Sequence, residues 1–180
     1  MLFRVNPEEF IIKVANIIND CKAIAVIKQI SYSPTDKKFD TAIFLADDFR
    51  GVLGDNAIES KKSLYDLVVV DSKGTEKDFA RALENNNDVE VYTKLPKGFY
   101  INTPMGHYNP DWAVVFREGS VKYVYFVAET KGSLREVDYR DTEKSKIACA
   151  RRHFASLSNS TVKYDVVDSY QELYNKVKAD

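Results

Sequence analysis

Two apolar runs, residues 112–116 (Trp-Ala-Val-Val-Phe) and 123–128 (Tyr-Val-Tyr-Phe-Val-Ala), stand on either side of Arg117-Glu118-Gly119-Ser120. Short runs rich in aromatic and β-branched residues, joined by a glycine-containing turn, read as a β-hairpin. Both runs are apolar at successive positions, so the hairpin belongs in the middle of a sheet covered on both faces. A fold built around it needs layers packed above and below.

The two ends of this hairpin are charged. Asp111, in Asn109-Pro110-Asp111-Trp112, precedes the first strand, and Glu129 and Lys131, in Glu129-Thr130-Lys131, follow the second. Position 120 is the midpoint of 111 and 129 and falls in the turn. Asp111 and Glu129 are therefore expected to face each other across the hairpin, with Cβ atoms about 5 Å apart. Side chains alternate along a strand, which puts Glu129 and Lys131 on one side and Thr130 on the other.

Two carboxylates that close repel unless a cation lies between them. A hard divalent ion meets that need with oxygen ligands, Mg²⁺ first and Mn²⁺ as a substitute. Asp111 and Glu129 are the candidate metal ligands, and the Thr130 backbone carbonyl is a further one. Such an ion polarises a phosphate and activates water, while Lys131 orients that water and offsets charge on the transferring phosphoryl group. Asp111, Glu129 and Lys131 are thus the candidate catalytic set, suited to cutting a phosphodiester.

Each piece also has a plain structural reading. In a chain that is 29% charged, Glu-x-Lys triplets arise without function, as in Glu59-Ser60-Lys61. Pro110-Asp111 can serve as a turn into a strand. Asp71-Ser72-Lys73, after Val68-Val69-Val70, is a rival constellation that lacks a second carboxylate on a paired strand. Glu76, in the first turn of a predicted helix, either complements the helix dipole or adds a carboxylate toward the metal.

Asn6-Pro7-Glu8-Glu9 carries an N-cap, a proline at the first helical position and first-turn acids. Phe10, Ile11, Val14, Ile17 and Ile18 extend the helical spacing to about residue 20. Residues 23–32 read as a strand, Ser33-Pro34-Thr35-Asp36 as a turn, and residues 39–45 as the hairpin partner. Residues 46–62 show no clear period. A strand at 64–70, a helix at 75–84 and a strand at 89–95 follow. After the central hairpin come a helix at 141–157, with Ile147, Ala150, Phe154 and Leu157 inward, a strand at 161–167 and a helix at 169–178. The order describes an α/β sandwich with a mixed sheet. Residues 1–64 are read as an accessory segment packed on a core of residues 65–180.

The flanks of the 141–157 helix carry Lys144, Lys146, Arg151, Arg152 and His153, candidates for DNA-backbone contact. Tyr108 and Trp112 are assigned to packing rather than base stacking. A net charge of −1 leaves room for only a local basic surface. Two cysteines distant in sequence suit free thiols in a reducing cytosol, and with only two histidines a structural zinc site is excluded. No run is apolar and long enough to span a membrane. Neither a signal-peptide pattern nor a nucleotide-binding P-loop is present, so no bound nucleotide is expected.

The stretches 97–113 (Lys-Gly-Phe-Tyr-Ile-Asn-Thr-Pro-Met-Gly-His-Tyr-Asn-Pro-Asp-Trp-Ala) and 126–133 (Phe-Val-Ala-Glu-Thr-Lys-Gly-Ser) closely resemble the C-terminal endonuclease region of type III restriction enzyme Res subunits. That region belongs to the PD-(D/E)xK nuclease superfamily. The resemblance continues through residues 146–154, reaches back through 65–72 and, more loosely, to 4–10. It implies a restriction-endonuclease-like α/β fold, a mixed central sheet flanked by helices, here with an N-terminal helix and hairpin extension. It also implies Asp111, Glu129 and Lys131 as catalytic residues, Mg²⁺ dependence, and double-stranded DNA as substrate. Partners implied are the helicase/ATPase region of the Res polypeptide and the methyltransferase (Mod) subunit.

Overall fold

A four-stranded sheet forms the centre of this computed structural model. The structure describes residues 5–27, 29–33, 40–45, 50–71, 74–119, 125–130, 141–157 and 162–178. The elements in chain order are α1 (Pro7–Ile27), β1 (Ala57–Glu59), β2 (Leu67–Val69), α2 (Thr75–Asn85), β3 (Val89–Lys94), β4 (Ile101–Thr103), β5 (Gly106–Tyr108), β6 (Trp112–Phe116), β7 (Tyr125–Thr130), α3 (Asp141–Ser156), β8 (Val162–Val167) and α4 (Tyr170–Lys178). Strands β3/β6 and β6/β7 are antiparallel and β7/β8 parallel, so the sheet is mixed, as the element order predicts.

Alternation along the strands sorts side chains into two cores. On one face Val89, Tyr92, Trp112, Val114, Phe116 and Val167 pack with Phe79, Ala80 and Leu83 of α2, Leu173 and Val177 of α4, and Val68 and Val70. On the other, Tyr164 and Val166 pack with Ile147, Ala150 and Phe154 of α3 and with Ile101 and Tyr108 of the β4–β5 hairpin. Helices on both faces of a mixed sheet are the architecture expected of a restriction-endonuclease-like domain.

Helix α1 begins as its sequence predicts. The Asn6 side chain accepts from the Glu9 N–H at 3.0 Å and donates to the Glu9 carboxylate at 3.2 Å, a reciprocal cap. It does not stop near residue 20. Residues 23–27, read as a strand, continue the helix, and residues 41–44, the expected hairpin partner, form a single 3₁₀ turn capped by Asp40. No glycine or proline lies between Glu8 and Ser33 to break the helix. Ala23 and Ile27, one turn apart, are buried where α1 meets α3, and that packing overrides the β-propensity of Ile24-Ala25-Val26-Ile27. The Ser33–Asp36 turn falls largely outside the described residues.

Two more differences concern short elements. Residues 57–59, within the stretch without a clear period, form β1 and pair antiparallel with β2, linking the two sides of residue 64. Gly51 makes this possible, since a Cβ there would lie 2.7 Å from Val69 Cγ2 and 2.9 Å from the Ala57 Cβ. Residues 101–108 form the β4–β5 hairpin, turned by Gly106 at φ +92°. Leu157, assigned to the inner stripe of its helix, is instead 47% exposed just past the end of α3.

Candidate active site

Strand β6 pairs with β7 in a register that sets Trp112 against Ala128 and Val114 against Phe126. Continued by one residue, that register sets Asp111 across from Glu129. The symmetry inferred from position 120 therefore holds at the level of the backbone. Gly119, at φ +83°, lies in the connecting turn. Lys131 and the Glu129 side chain fall outside the described residues.

Asp111 stands just before β6, at the end of the strand that lies between β3 and β7. Its carboxylate Oδ2 accepts from both the Thr130 N–H and the Thr130 hydroxyl, each at 2.8 Å. The Trp112 indole N–H donates to that same hydroxyl at 3.2 Å. Trp112 and Thr130 are buried, so this relay orients the Asp111 side chain. The Asp111 carbonyl accepts from the Leu95 N–H at 2.8 Å, which ties the site to the end of β3.

A residue not singled out from sequence completes the cluster. Lys94, the last residue of β3, pairs with Trp112 in the β3/β6 ladder and is 8% exposed. Its ammonium lies 2.7 Å from Asp71 Oδ2, 2.8 Å from Glu76 Oε2 and 5.9 Å from the centre of the Trp112 ring. The Glu76 carboxylate also accepts from the Asp71 N–H at 2.7 Å. The signal that would have found Lys94 is a lysine at an inward position of a strand that otherwise buries Tyr92 and Thr93.

The electrostatics follow from burial and charge. Burial raises the Asp111 pKa above the ordinary value, and the nearby Glu76 charge adds to this. The two Thr130 hydrogen bonds and Lys94 pull it down without cancelling the rise. For Lys94 burial works against the ammonium, but hydrogen bonds and charge from Asp71 and Glu76 outweigh it and the pKa rises. Asp111 is thus a carboxylate lacking enough positive charge. The donors here are hard oxygens, with neither histidine nor cysteine among the described residues of the cluster, and that chemistry fits Mg²⁺ or Mn²⁺. Among the described residues no group of three His, Cys, Asp or Glu side chains is arranged around one point.

Asp71, from the rival constellation, and Glu76 therefore belong to one cluster with Asp111, joined by Lys94. Ser72 and Lys73 lie outside the described residues. An open cavity of about 490 Å³ adjoins at Asp71, lined also by Arg50, Gly51, Asp55 and Asn56.

The basic residues of α3 are distributed among several tasks. Arg152 donates to the carbonyls of Ile27 and Ile30, capping α1, and Arg151 pairs with Asp165 at 2.8 Å. Lys146 donates to the His107 carbonyl at 2.9 Å, and Lys144 is half-buried. His153 packs edge-on against Tyr32 and Phe154, and burial lowers its pKa, holding it neutral. Tyr108 and Trp112 are packing residues, as expected: Trp112 is fully buried, and Tyr108 shares a hydrogen bond with Tyr164.

Residues 61–170 match the protein family described as Endonuclease domain, well over half of the chain. The chain belongs to the endonuclease domain family. The matched segment contains α2, the whole central sheet and every residue of the Asp71–Glu76–Lys94–Asp111–Thr130 cluster. Membership carries the activity class of a nuclease, a hydrolase of phosphodiester bonds. No curated protein and no solved structure matches the chain. Among the described residues of this endonuclease domain, no helix is long and apolar enough to cross a membrane.

Proposed function

We propose that this chain is the Mg²⁺-dependent endonuclease domain of a type III restriction enzyme Res subunit, cutting double-stranded DNA in the cytoplasm. The observation that carries this is the Asp111 carboxylate, fixed by Thr130 at the end of β6, with Glu129 across the hairpin in the continued register. Asp111 and Glu129 would hold the ion, with the Thr130 carbonyl as a further ligand and Glu76 beside them, bonded to Lys94. When bound, Mg²⁺ or Mn²⁺ supplies positive charge at the scissile phosphate and lowers the pKa of water.

The chain's own residues do the rest. Thr130 and Trp112 hold Asp111 in one orientation, so no reorganisation is needed when substrate arrives. Lys131 orients the attacking water and offsets negative charge on the phosphoryl group. Lys144, Lys146, Arg151, Arg152 and His153 would meet the DNA backbone where their present contacts rearrange. No nucleotide is used by this domain.

Plasmid incubated with Mg²⁺ or Mn²⁺ tests the assignment. Nicking or linearisation by the wild type should be lost in both Asp111→Ala and Lys131→Ala. Cleavage that persists in both would remove the site from consideration.

One observation favours a second reading. Helix α1 exposes Ile11, Ile12, Ile17, Ile18 and Val26, each by 46% or more, on a surface suited to a larger assembly. The domain would then be a docking and DNA-binding module, silent until joined to the helicase motor and methyltransferase. It predicts no cleavage by the chain alone and cleavage when those parts are supplied.

A further inference from the structure

Lys94 lies between the carboxylates of Asp71 and Glu76. Its ammonium sits between two carboxylates at 2.7 Å and 2.8 Å, distances of charge-assisted hydrogen bonds. It is not a surface lysine that folds back. The β3/β6 ladder fixes its Cα opposite Trp112, the indole face lies 5.9 Å from the nitrogen, and the side chain is 10% exposed. Glu76, 13% exposed, accepts from the Asp71 N–H with the same Oε2 that meets the Lys94 ammonium. The Leu95 N–H to Asp111 carbonyl bond sets the whole group at a fixed distance from the Asp111 backbone.

A phosphodiester-cleaving site with two divalent ions needs them about 3.5–4 Å apart, sharing a carboxylate and each with further acidic ligands. Among the described residues the carboxylates beside Asp111 for a second ion are Glu76 and Asp71, and Lys94 already bridges both. We propose that the Lys94 ammonium is a built-in second cation, so that this site takes a single divalent metal ion. The inference rests on the metal-dependent reading above and deepens it. Asp71 and Glu76 are then matched by Lys94, which leaves Asp111 for one divalent ion. A second ion could enter only by expelling an ammonium that is covered by Trp112 and anchored in the sheet.

The test is Mn²⁺ stoichiometry on the full chain without DNA, read by electron paramagnetic resonance of free Mn²⁺ during titration. Wild type should bind one Mn²⁺ per chain. Lys94→Met, which keeps an unbranched side chain one atom shorter and removes its charge, should bind two. Lys94→Arg, which keeps the charge, should return the count to one. Two ions on the wild type would overturn the proposal whether or not the variants fold. So would a folded Lys94→Met that still binds one with unchanged affinity. No binding by the wild type would overturn the metal-dependent reading itself, a result separable from the other two.

Discussion

Asp111 concentrates the tension of this molecule in one side chain. Its pKa in the folded protein lies above the ordinary carboxylate value because burial and Glu76 outweigh Thr130 and Lys94. An acid of this kind lowers stability once ionised. The loss is absent below the unfolded-state pKa, near about 3.9, and becomes complete as pH rises through the raised folded value. Asp111→Asn keeps an oxygen for both Thr130 donors and removes the charge. It should raise the melting temperature of the metal-free protein at neutral pH, and Mg²⁺ should stabilise the wild type but not the variant. A variant that melts lower at neutral pH would contradict this account of the charge. Thr130 gives a second prediction at the same scale. Thr130→Val strands the Trp112 N–H and removes one donor to Asp111, and should cost about 1–3 kcal/mol in denaturant melts, with Thr130→Ser recovering much of it.

Among the elements, what could be read from sequence divides according to how local the cause is. α2 and β3 lie where their periodicity puts them, with Phe79, Ala80 and Leu83 buried and Asn86 closing the helix. The cap at Asn6 is likewise local and legible. The end of α1 is not, because Ala23 and Ile27 are helical through contacts with α3, more than a hundred residues away, and Arg152 reaches the Ile27 and Ile30 carbonyls from that distance. Removing that cap with Arg152→Met should raise amide hydrogen exchange across residues 23–27 while α3 keeps its protection. Faster exchange along all of α3 as well would show that Arg152 holds the helix pair rather than the end of one. In the other core layer, Leu83→Ala should cost about 2–5 kcal/mol, since a fully buried leucine leaves a cavity.

For the whole molecule, the hairpin around the turn at Gly119 was the legible part, and it brought the nuclease fold with it. Two apolar strands with charged ends specify a covered sheet, and the register that sets Trp112 against Ala128 follows from the symmetry of the turn. Lys94 is legible only as a lysine at an inward position of β3; its partners are not, because Asp71 and Glu76 arrive from another part of the chain. Nor was the union of Asp71 and Asp111, read as rivals, into one cluster. Tertiary structure alone joins them, through Lys94. The central claim is that a divalent ion is held between the two strand ends of this hairpin. Anomalous diffraction from crystals soaked in Mn²⁺ tests it most directly. The account predicts one peak between Asp111 and Glu129, with Lys94 still bridging Asp71 and Glu76. An empty position there, with Mn²⁺ bound at Asp71 instead, would contradict it.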